Sequence, residues 1–88
     1  MRIGNPRDLG RYVRDQRREA ALTQTELATR AAVSRRWLSD LEAGKPTAEV
    51  GLVLKVVAAL SLMVDIRPAP LPEIDLDQLL DNLGGTGG

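Results

Sequence analysis

Two short helical patterns, separated by a four-residue break, lie in the middle of the chain. Thr23, with Glu26 three positions later, forms a capping-box signature that predicts the start of the first of these helices. Ser34 stands in the equivalent place before the second helix, and Gly44 follows where that helix is expected to end. The apolar positions predict the inner seam of two helices that cross at a tight turn. These positions are Leu27, Ala28, Val33, Leu38 and Leu41.

A further helix is predicted before this pair. Asparagine caps helices well and proline is favoured at the first helical position, so Asn5 and Pro6 predict its start. Its apolar stripe contains Leu9, Val13, Gln16 and Ala20, whereas Arg11, Arg14, Arg17 and Arg18 lie largely off it. We expect these arginines to be solvated or to reach phosphate groups.

A fourth helix is predicted after the loop at Lys45 and Pro46, with Thr47 as its cap and Glu49 in its first turn. Residues 50–60 are apolar on nearly every side, which predicts burial on nearly every side. In so small a domain, one face of such a helix must meet something besides its own core. We expect a partner subunit to cover this face of the fourth helix.

The segment after the fourth helix alternates in a way that is typical of a β-strand. Leu62, Val64 and Ile66 are predicted on one side of it, and Met63, Asp65 and Arg67 on the other. A lone strand leaves its backbone donors and acceptors unpaired. We therefore expect it to pair with the same strand of a second copy, as an antiparallel ribbon across a two-fold axis. The alternative is an extended segment that packs on the fourth helix.

The composition changes near residue 68. Residues 68–88 form a proline-containing linker and an acidic tail, which we separate from the domain of residues 1–67. Part of the tail fits one face of a helix that is too short to be stable alone, so it must dock on something or stay disordered. Its apolar residues are Ile74, Leu76, Leu79, Leu80 and Leu83.

The composition also argues against several classes of protein. The chain has no cysteine and no histidine, so disulfides, thiolate nucleophiles and the usual zinc sites are not expected. No carboxylate pair is evidently placed for acid–base chemistry, and we expect neither an enzyme nor a cofactor. The chain shows no apolar run of membrane-spanning length and no signal-peptide pattern, and we expect a soluble cytoplasmic protein.

Charge is segregated along the chain although its formal net charge is zero. Basic residues outnumber acidic ones in residues 1–46, whereas residues 68–88 contain acidic residues and no lysine or arginine. This distribution suits one surface for polyanions and another for a different partner. A solvated surface of mixed charge would explain it equally well.

The central pair of helices resembles the helix-turn-helix of the phage-repressor (Xre/Cro) family. That family's pattern reads roughly Q-x-x-L-A-x-x-x-G-V-S-x-x-x-I-S-x-x-E-x-G. The residues that match it are Gln24, Leu27, Ala28, Val33, Ser34, Leu38, Ser39, Glu42 and Gly44. Ala32 departs from the glycine usual in the turn, where a left-handed backbone costs alanine roughly 1–2 kcal/mol. The resemblance implies a mostly α-helical, phage-repressor-like DNA-binding domain of four to five helices, with one C-terminal strand pairing across a homodimer.

The order of elements is similar to that of the HipB-like antitoxins over roughly residues 7–83. The resemblance implies a dimeric repressor of its own toxin–antitoxin operon that also neutralises a HipA-type serine/threonine kinase. It would be bacterial and nucleoid-associated, and it would bind an inverted repeat in double-stranded DNA. The acidic, leucine-bearing tail would contact the kinase, although the glycine-rich C-terminus lacks an aromatic anchor.

In this family the second helix of the motif enters the major groove, so its first turn would read the bases. The resemblance places Ser34, Arg35, Arg36 and Ser39 at this reading face and makes Thr23, Gln24 and Lys45 candidates for phosphate contacts. Trp37 either packs on the sugar–phosphate backbone or covers the edge of the helical seam. A plain repressor without a toxin partner, and a protein-interaction module that uses the fold as a scaffold, are the alternative functions.

Overall fold

The computed structural model describes residues 2–70 and 79–81. Within them the chain forms four helices: α1 (Pro6–Glu19), α2 (Gln24–Ala31), α3 (Arg35–Glu42) and α4 (Val50–Ala59). Residues 79–81 are also helical. Helix α1 packs mainly against α3, and α2 packs against both α3 and α4. This arrangement confirms the predicted helix-turn-helix, which consists of α2 and α3, and the mostly α-helical fold.

Side-chain caps start the first three helices where the sequence predicts them. The side chain of Asn5 accepts the N–H of Asp8 at 2.8 Å. Thr23 and Glu26 form a complete capping box, and the hydroxyl of Ser34 accepts the N–H of Trp37 at 3.0 Å. Each cap satisfies an N–H that the helix itself leaves without a partner, so these starts depend on local sequence alone.

All four helices close with the same left-handed turn. The residue at the turn has a φ of 57° at Ala21, 56° at Ala32, 89° at Gly44 and 58° at Ser61. The N–H of the following residue then bonds to the carbonyl five residues back, as Val33 does to Ala28 at 3.0 Å. This 6→1 bond is part of the Schellman motif, which satisfies carbonyls that the helix end would leave free.

The core lies where α1, α2 and α3 meet the last turns of α4. Its fully or nearly fully buried side chains are Val13, Leu22, Leu27, Ala28, Ala31, Leu38, Leu41 and Val56. Half-buried Val33 and Trp37 pack against this cluster. The seam predicted for the helix pair is therefore confirmed. Burial of each leucine stabilises the fold by roughly 1.5–3 kcal/mol.

Gly10 lets α1 approach α3 backbone to backbone. A Cβ atom there would overlap the carbonyl oxygen of Leu41 and would stand 2.8 Å from that of Glu42. Real Cβ atoms are essentially never found so close to a backbone oxygen. The crossing of α1 over the end of α3 therefore requires glycine at this position.

Helix α4 departs from the prediction in two ways. It begins at Val50 with Glu49 as a cap residue that makes no side-chain bond, so the assignment of Thr47 as the cap is wrong. Residues 46–47 form a turn instead, and Ala48 packs against the core before the helix begins. Burial on nearly every side is also wrong for the single chain. Val56 and Val57 are buried, whereas Val50 and Leu54 are 71% and 49% exposed.

Residues 62–70 have neither helical nor strand assignment in the single chain. Leu62 is half-buried, and the rest of the predicted strand is exposed. Pairing with a second copy therefore remains a prediction. Among the residues that the structure describes, no helix has both the length and the apolar character needed to cross a membrane.

Candidate nucleic-acid interface

The first turn of α3 presents two arginines to solvent. Ser34 caps the helix, Arg35 and Arg36 follow it, and all three are exposed. Trp37 turns the other way and packs against the core, which favours its structural role over contact with a nucleic acid. No acidic residue lies in this turn. The two guanidinium groups and the positive end of the helix dipole therefore attract negative charge.

The other two residues predicted on or after α3 lie further along it. Ser39 is half-buried one turn after the arginines. Lys45 is exposed beyond the end of the helix, with its Nζ atom 3.9 Å from Oδ2 of Asp40. Both side chains of this pair are about half exposed, so the pair contributes little to stability and Lys45 is free to change partner.

The start of α2 offers backbone donors. Thr23 caps the helix and is exposed, and its hydroxyl accepts the N–H of Glu26 at 3.0 Å. Glu26 in turn accepts the N–H of Thr23 at 3.1 Å. Within the described part of the chain, the N–H groups of Gln24 and Thr25 make no hydrogen bond. They are positioned to donate to an anion.

A partly buried ion pair that the sequence did not predict joins α1 to α3. Nε and Nη2 of Arg17 donate to the two carboxylate oxygens of Glu42 at 2.8 and 2.9 Å. Nη1 of Arg17 also donates to the carbonyl of Leu22 at 2.9 Å. The expectation of a solvated or phosphate-bound Arg17 is therefore wrong. Its position four residues after Val13, on the buried face of α1, is the signal that could have revealed it.

Gln24 belongs to the same cluster. Its Nε2 atom lies 3.3 Å from Oε1 of Glu42, and the residue is half-buried at the start of α2. The exposed fraction of the Glu42 side chain is only 4%, and that of Arg17 is 11%. The hydrogen bond to Glu42 raises the pKa of Arg17 further above its ordinary value, despite the opposing effect of burial.

The residues predicted for dimerisation and toxin binding are exposed wherever the structure describes them, apart from half-buried Leu62. Met63 and Ile66 are 87% and 90% exposed. Nε of Arg67 donates to Oδ2 of Asp65 at 2.6 Å. Leu79 and Leu80 are exposed, while Ile74, Leu76 and Leu83 lie outside the described residues.

No metal site accompanies these surfaces in the described ranges. No group of three or more His, Cys, Asp or Glu residues there could hold a metal ion. An open groove of about 310 Å³ lies between the N-terminal arm and α4. Its lining is mainly apolar and includes Ile3, Leu9 and Val53.

Comparison with known proteins identifies the family. The model of the family described as "Helix-turn-helix domain" matches residues 8–69. An uncharacterised HTH-type transcriptional regulator of Sinorhizobium fredii, y4mF, is 51% identical over 65 residues, which cover 74% of this chain and 86% of that protein.

Solved structures share the fold. A chain of the HipB–O4 20mer complex matches with a TM-score of 0.74 at 21% identity, covering 80% of this chain and 99% of that one. A chain of the HipA–HipB–O2–O3 complex matches with the same TM-score and coverage at 20% identity. On its sequence, the chain belongs to the helix-turn-helix family of DNA-binding transcriptional regulators, and on its structure it has a HipB-like fold.

Proposed function

We propose that this protein binds an operator in double-stranded DNA as a homodimer and represses transcription from it. The first turn of α3, with exposed Arg35 and Arg36 and no acidic neighbour in that turn, is the observation that supports this function. The major groove of B-form DNA admits one α-helix, and helix-turn-helix proteins insert the second helix of the motif there.

The arginines have different roles in this proposal. Neighbouring residues on a helix point in different directions, so one arginine reads a base while the other grips a phosphate. Arg35 is our choice for the base, through a bidentate bond to O6 and N7 of guanine. Ser34 and Ser39 complete the reading face.

Phosphate contacts flank the reading face. The unbonded backbone N–H groups of Gln24 and Thr25 support an anion site at the start of α2. Thr23 and the Gln24 side chain add polar groups there, and Lys45 adds a charge beyond α3. Such contacts fix the register of the protein on DNA without reading its sequence.

A dimer would present two α3 helices, so we expect the operator to be an inverted repeat. The centres of its half-sites should lie about 34–36 Å apart, or a multiple of that distance. The exposed apolar residues of α4 and of residues 62–67 support dimerisation, because a soluble monomer would leave them in water.

Selection from random duplexes, followed by gel-shift titration, tests this function. Arg35→Ala should reduce the preference for the selected operator over random DNA by about 10- to 100-fold, because a bidentate contact is lost. Lys55→Ala removes one positive charge at an exposed position of α4 and serves as the matched control. The reading face is misassigned if Arg35→Ala and Arg36→Ala both retain the preference of the unsubstituted protein.

Salt dependence tests the phosphate contacts separately. Each phosphate that a lysine or arginine neutralises releases counterions, so the logarithm of the binding constant should fall linearly with the logarithm of salt concentration. Lys45→Ala should reduce the slope by about 0.9. If operator-sized duplexes give no shift even at low salt, the protein is an interaction module rather than a DNA-binding protein.

A second function, neutralisation of a HipA-type serine/threonine kinase, completes the proposal. Its support is the HipB-like fold, which also occurs in a solved HipA–HipB–O2–O3 complex. The acidic sequence of the tail, with its leucines, suits a partner's apolar groove. A toxin–antitoxin repressor of this kind would control its own operon.

Co-expression with the product of the neighbouring gene tests the kinase partnership. We expect a HipA-type kinase to co-purify with the full chain. Deletion of residues 73–88 should weaken this association and spare DNA binding. Failure of any neighbouring kinase to co-purify would favour a plain repressor, which the description of the Sinorhizobium relative also supports.

A further inference from the structure

Glu42 lies at the centre of a polar cluster that joins α1, α2 and α3. Its Oε2 atom accepts from Nε of Arg17, and its Oε1 atom accepts from Nη2 of Arg17 and Nε2 of Gln24. Arg17 reaches the carbonyl of Leu22 as well, in the turn that precedes α2. The cluster therefore connects the end of α3 to the opening of α2, where Gln24 is the first helical residue.

Stability alone is a poor explanation for this cluster. The desolvation of a buried ion pair offsets most of its attraction, and well-packed apolar residues often replace such pairs without loss. The side chains of Glu42 and Arg17 are 4% and 11% exposed, so the pair is largely shielded from water. The pair is therefore weak evidence for stability, and it also holds a third side chain, Gln24. This contact points to a role of the pair in placing Gln24.

The orientation of the Gln24 amide follows from hydrogen-bond chemistry. A carboxylate only accepts hydrogen bonds, so the NH₂ group of Gln24 must be the end that faces Glu42. One of its two N–H bonds is directed at Oε1, which leaves the other N–H unused in the described contacts. The unbonded backbone N–H groups of Gln24 and Thr25 belong to the same helix start.

We propose that Glu42, oriented by Arg17, is a positioning residue that holds the Gln24 amide ready to donate to a DNA phosphate at the start of α2. This inference rests on the proposed DNA-binding function. Immobilising a flexible side chain during binding opposes association, and a side chain that is already held avoids this entropic loss. Arg17 also neutralises the carboxylate, which would otherwise repel the phosphate.

The test replaces the ion pair without changing the net charge of the protein. Arg17→Met combined with Glu42→Leu removes one positive and one negative charge and leaves Gln24 unheld. Gln24→Ala removes the proposed contact directly, and the triple variant combines all three changes. Each protein is titrated against the selected operator and against a random duplex of the same length, about 30 bp, which spans two half-sites.

Gln24→Ala and the double replacement should each weaken binding to both duplexes by about 3- to 10-fold, as expected for the ordering of one side chain. The triple variant should be no weaker than Gln24→Ala, because the pair acts only through Gln24. The salt slope should not change in any of them, since neither the amide nor the neutral pair releases counterions. If the cluster had a purely structural role, its replacement would weaken binding further even when Gln24 is already alanine.

Two results would overturn the inference. One is a double replacement that binds like the unsubstituted protein while Gln24→Ala is weaker, and the other is a triple variant whose loss is the product of the separate losses. Failure of the unsubstituted protein to bind either duplex would overturn the DNA-binding function as well.

Thermal unfolding checks that every variant is folded. If the double replacement unfolds, Glu42→Asp takes its place in the comparison with Gln24→Ala. Aspartate keeps the charge, and its side chain, shorter by one methylene, withdraws the carboxylate from Gln24.

Discussion

At the scale of single residues, backbone conformation places the strictest demands on this protein. Within the described ranges, Ala21, Ala32 and Ser61 adopt a left-handed backbone although none of them is glycine. Each does so just after a helix, where the chain reverses and the next N–H bonds back to the helix. Each turn adjoins a side chain that packs in the core: Leu22 after Ala21, Val33 after Ala32 and Leu60 before Ser61. The burial of these apolar groups favours the turns and opposes the local strain.

Ala32→Gly should stabilise the protein. Relief of the left-handed strain should raise the free energy of unfolding by roughly 1–2 kcal/mol. The greater entropy of glycine in the unfolded chain should lower it by about 0.5–1 kcal/mol. The net gain of about 0.5–1 kcal/mol should raise the melting temperature by about 2–8 °C in thermal unfolding. Ala31→Gly, one residue earlier in buried helix, is the control and should be destabilising. A lower melting temperature for Ala32→Gly would contradict the strain argument.

Gly10→Ala should have the opposite effect because of the close crossing of α1 and α3. The added methyl group would overlap the Leu41 carbonyl oxygen, and the backbone of α3 would have to move. We expect a loss of about 2 kcal/mol or more in chemical denaturation.

Gly51→Ala is the matched control for Gly10→Ala. Nothing lies within 4 Å of a Cβ atom built on Gly51, which is also helical. Alanine there should stabilise the protein by about 0.5–1 kcal/mol through helix propensity. Equal effects of the two substitutions would show that propensity, rather than the helix crossing, decides both.

At the scale of elements, the capping box of α2 makes part of the stability depend on pH. The backbone N–H of Thr23 donates to Glu26 and lowers the pKa of that carboxyl, and the Thr23 side chain adds to the effect. A carboxyl whose pKa is lower in the folded protein contributes stability that is complete above its unfolded pKa. This contribution is lost as the pH falls through the folded pKa.

Glu26→Gln should therefore be less stable than the unsubstituted protein near neutral pH, and the difference should shrink as the solution is acidified. Glutamine keeps the shape of the capping box without the charge, so the substitution isolates ionisation. Urea denaturation of both proteins between about pH 7 and pH 3 measures the difference. A difference that stays constant over this range would exclude a contribution from ionisation of Glu26.

At the scale of the whole molecule, the single chain leaves an apolar surface on α4 and the following segment. Val50 and Leu54 of α4, with Met63, Val64 and Ile66, are between 49% and 90% exposed. Several large apolar side chains exposed in so short a stretch favour a partner that covers them. A ribbon of residues 62–67 from two copies, as proposed, would cover part of it.

Val64→Pro should separate the proposed dimer. Proline cannot donate a backbone hydrogen bond, and its ring is poorly tolerated within a paired strand. We expect a monomer in analytical ultracentrifugation, and a loss of operator affinity of about 100-fold or more because the second half-site is no longer linked. Ala69→Pro, placed between two existing prolines, is the control and should stay dimeric. If Val64→Pro also remains a dimer, the subunits associate through another surface, with the exposed face of α4 as the next candidate.

The helix starts and the seam of α2 and α3 were predictable because they depend on neighbours in sequence. A capping side chain bonds to an N–H at most three residues further along the chain. The apolar periodicity of a helix can be recognised within that helix alone. The exposed arginines of α3 follow from the same reasoning, since a helix with one buried face shows the other to solvent.

What the sequence by itself determined is thus the four helices, the buried seam of α2 and α3 and the family they resemble. Only the tertiary structure decided the contacts between distant residues. Arg17 and Glu42 are 25 positions apart, and they meet because α1 crosses the end of α3 at Gly10. Likewise, α4 begins only at Val50, and Ala48 before it packs on a core that other helices assemble. Such contacts depend on the angles and distances at which elements pack, and these are properties of the assembled core rather than of any segment within it.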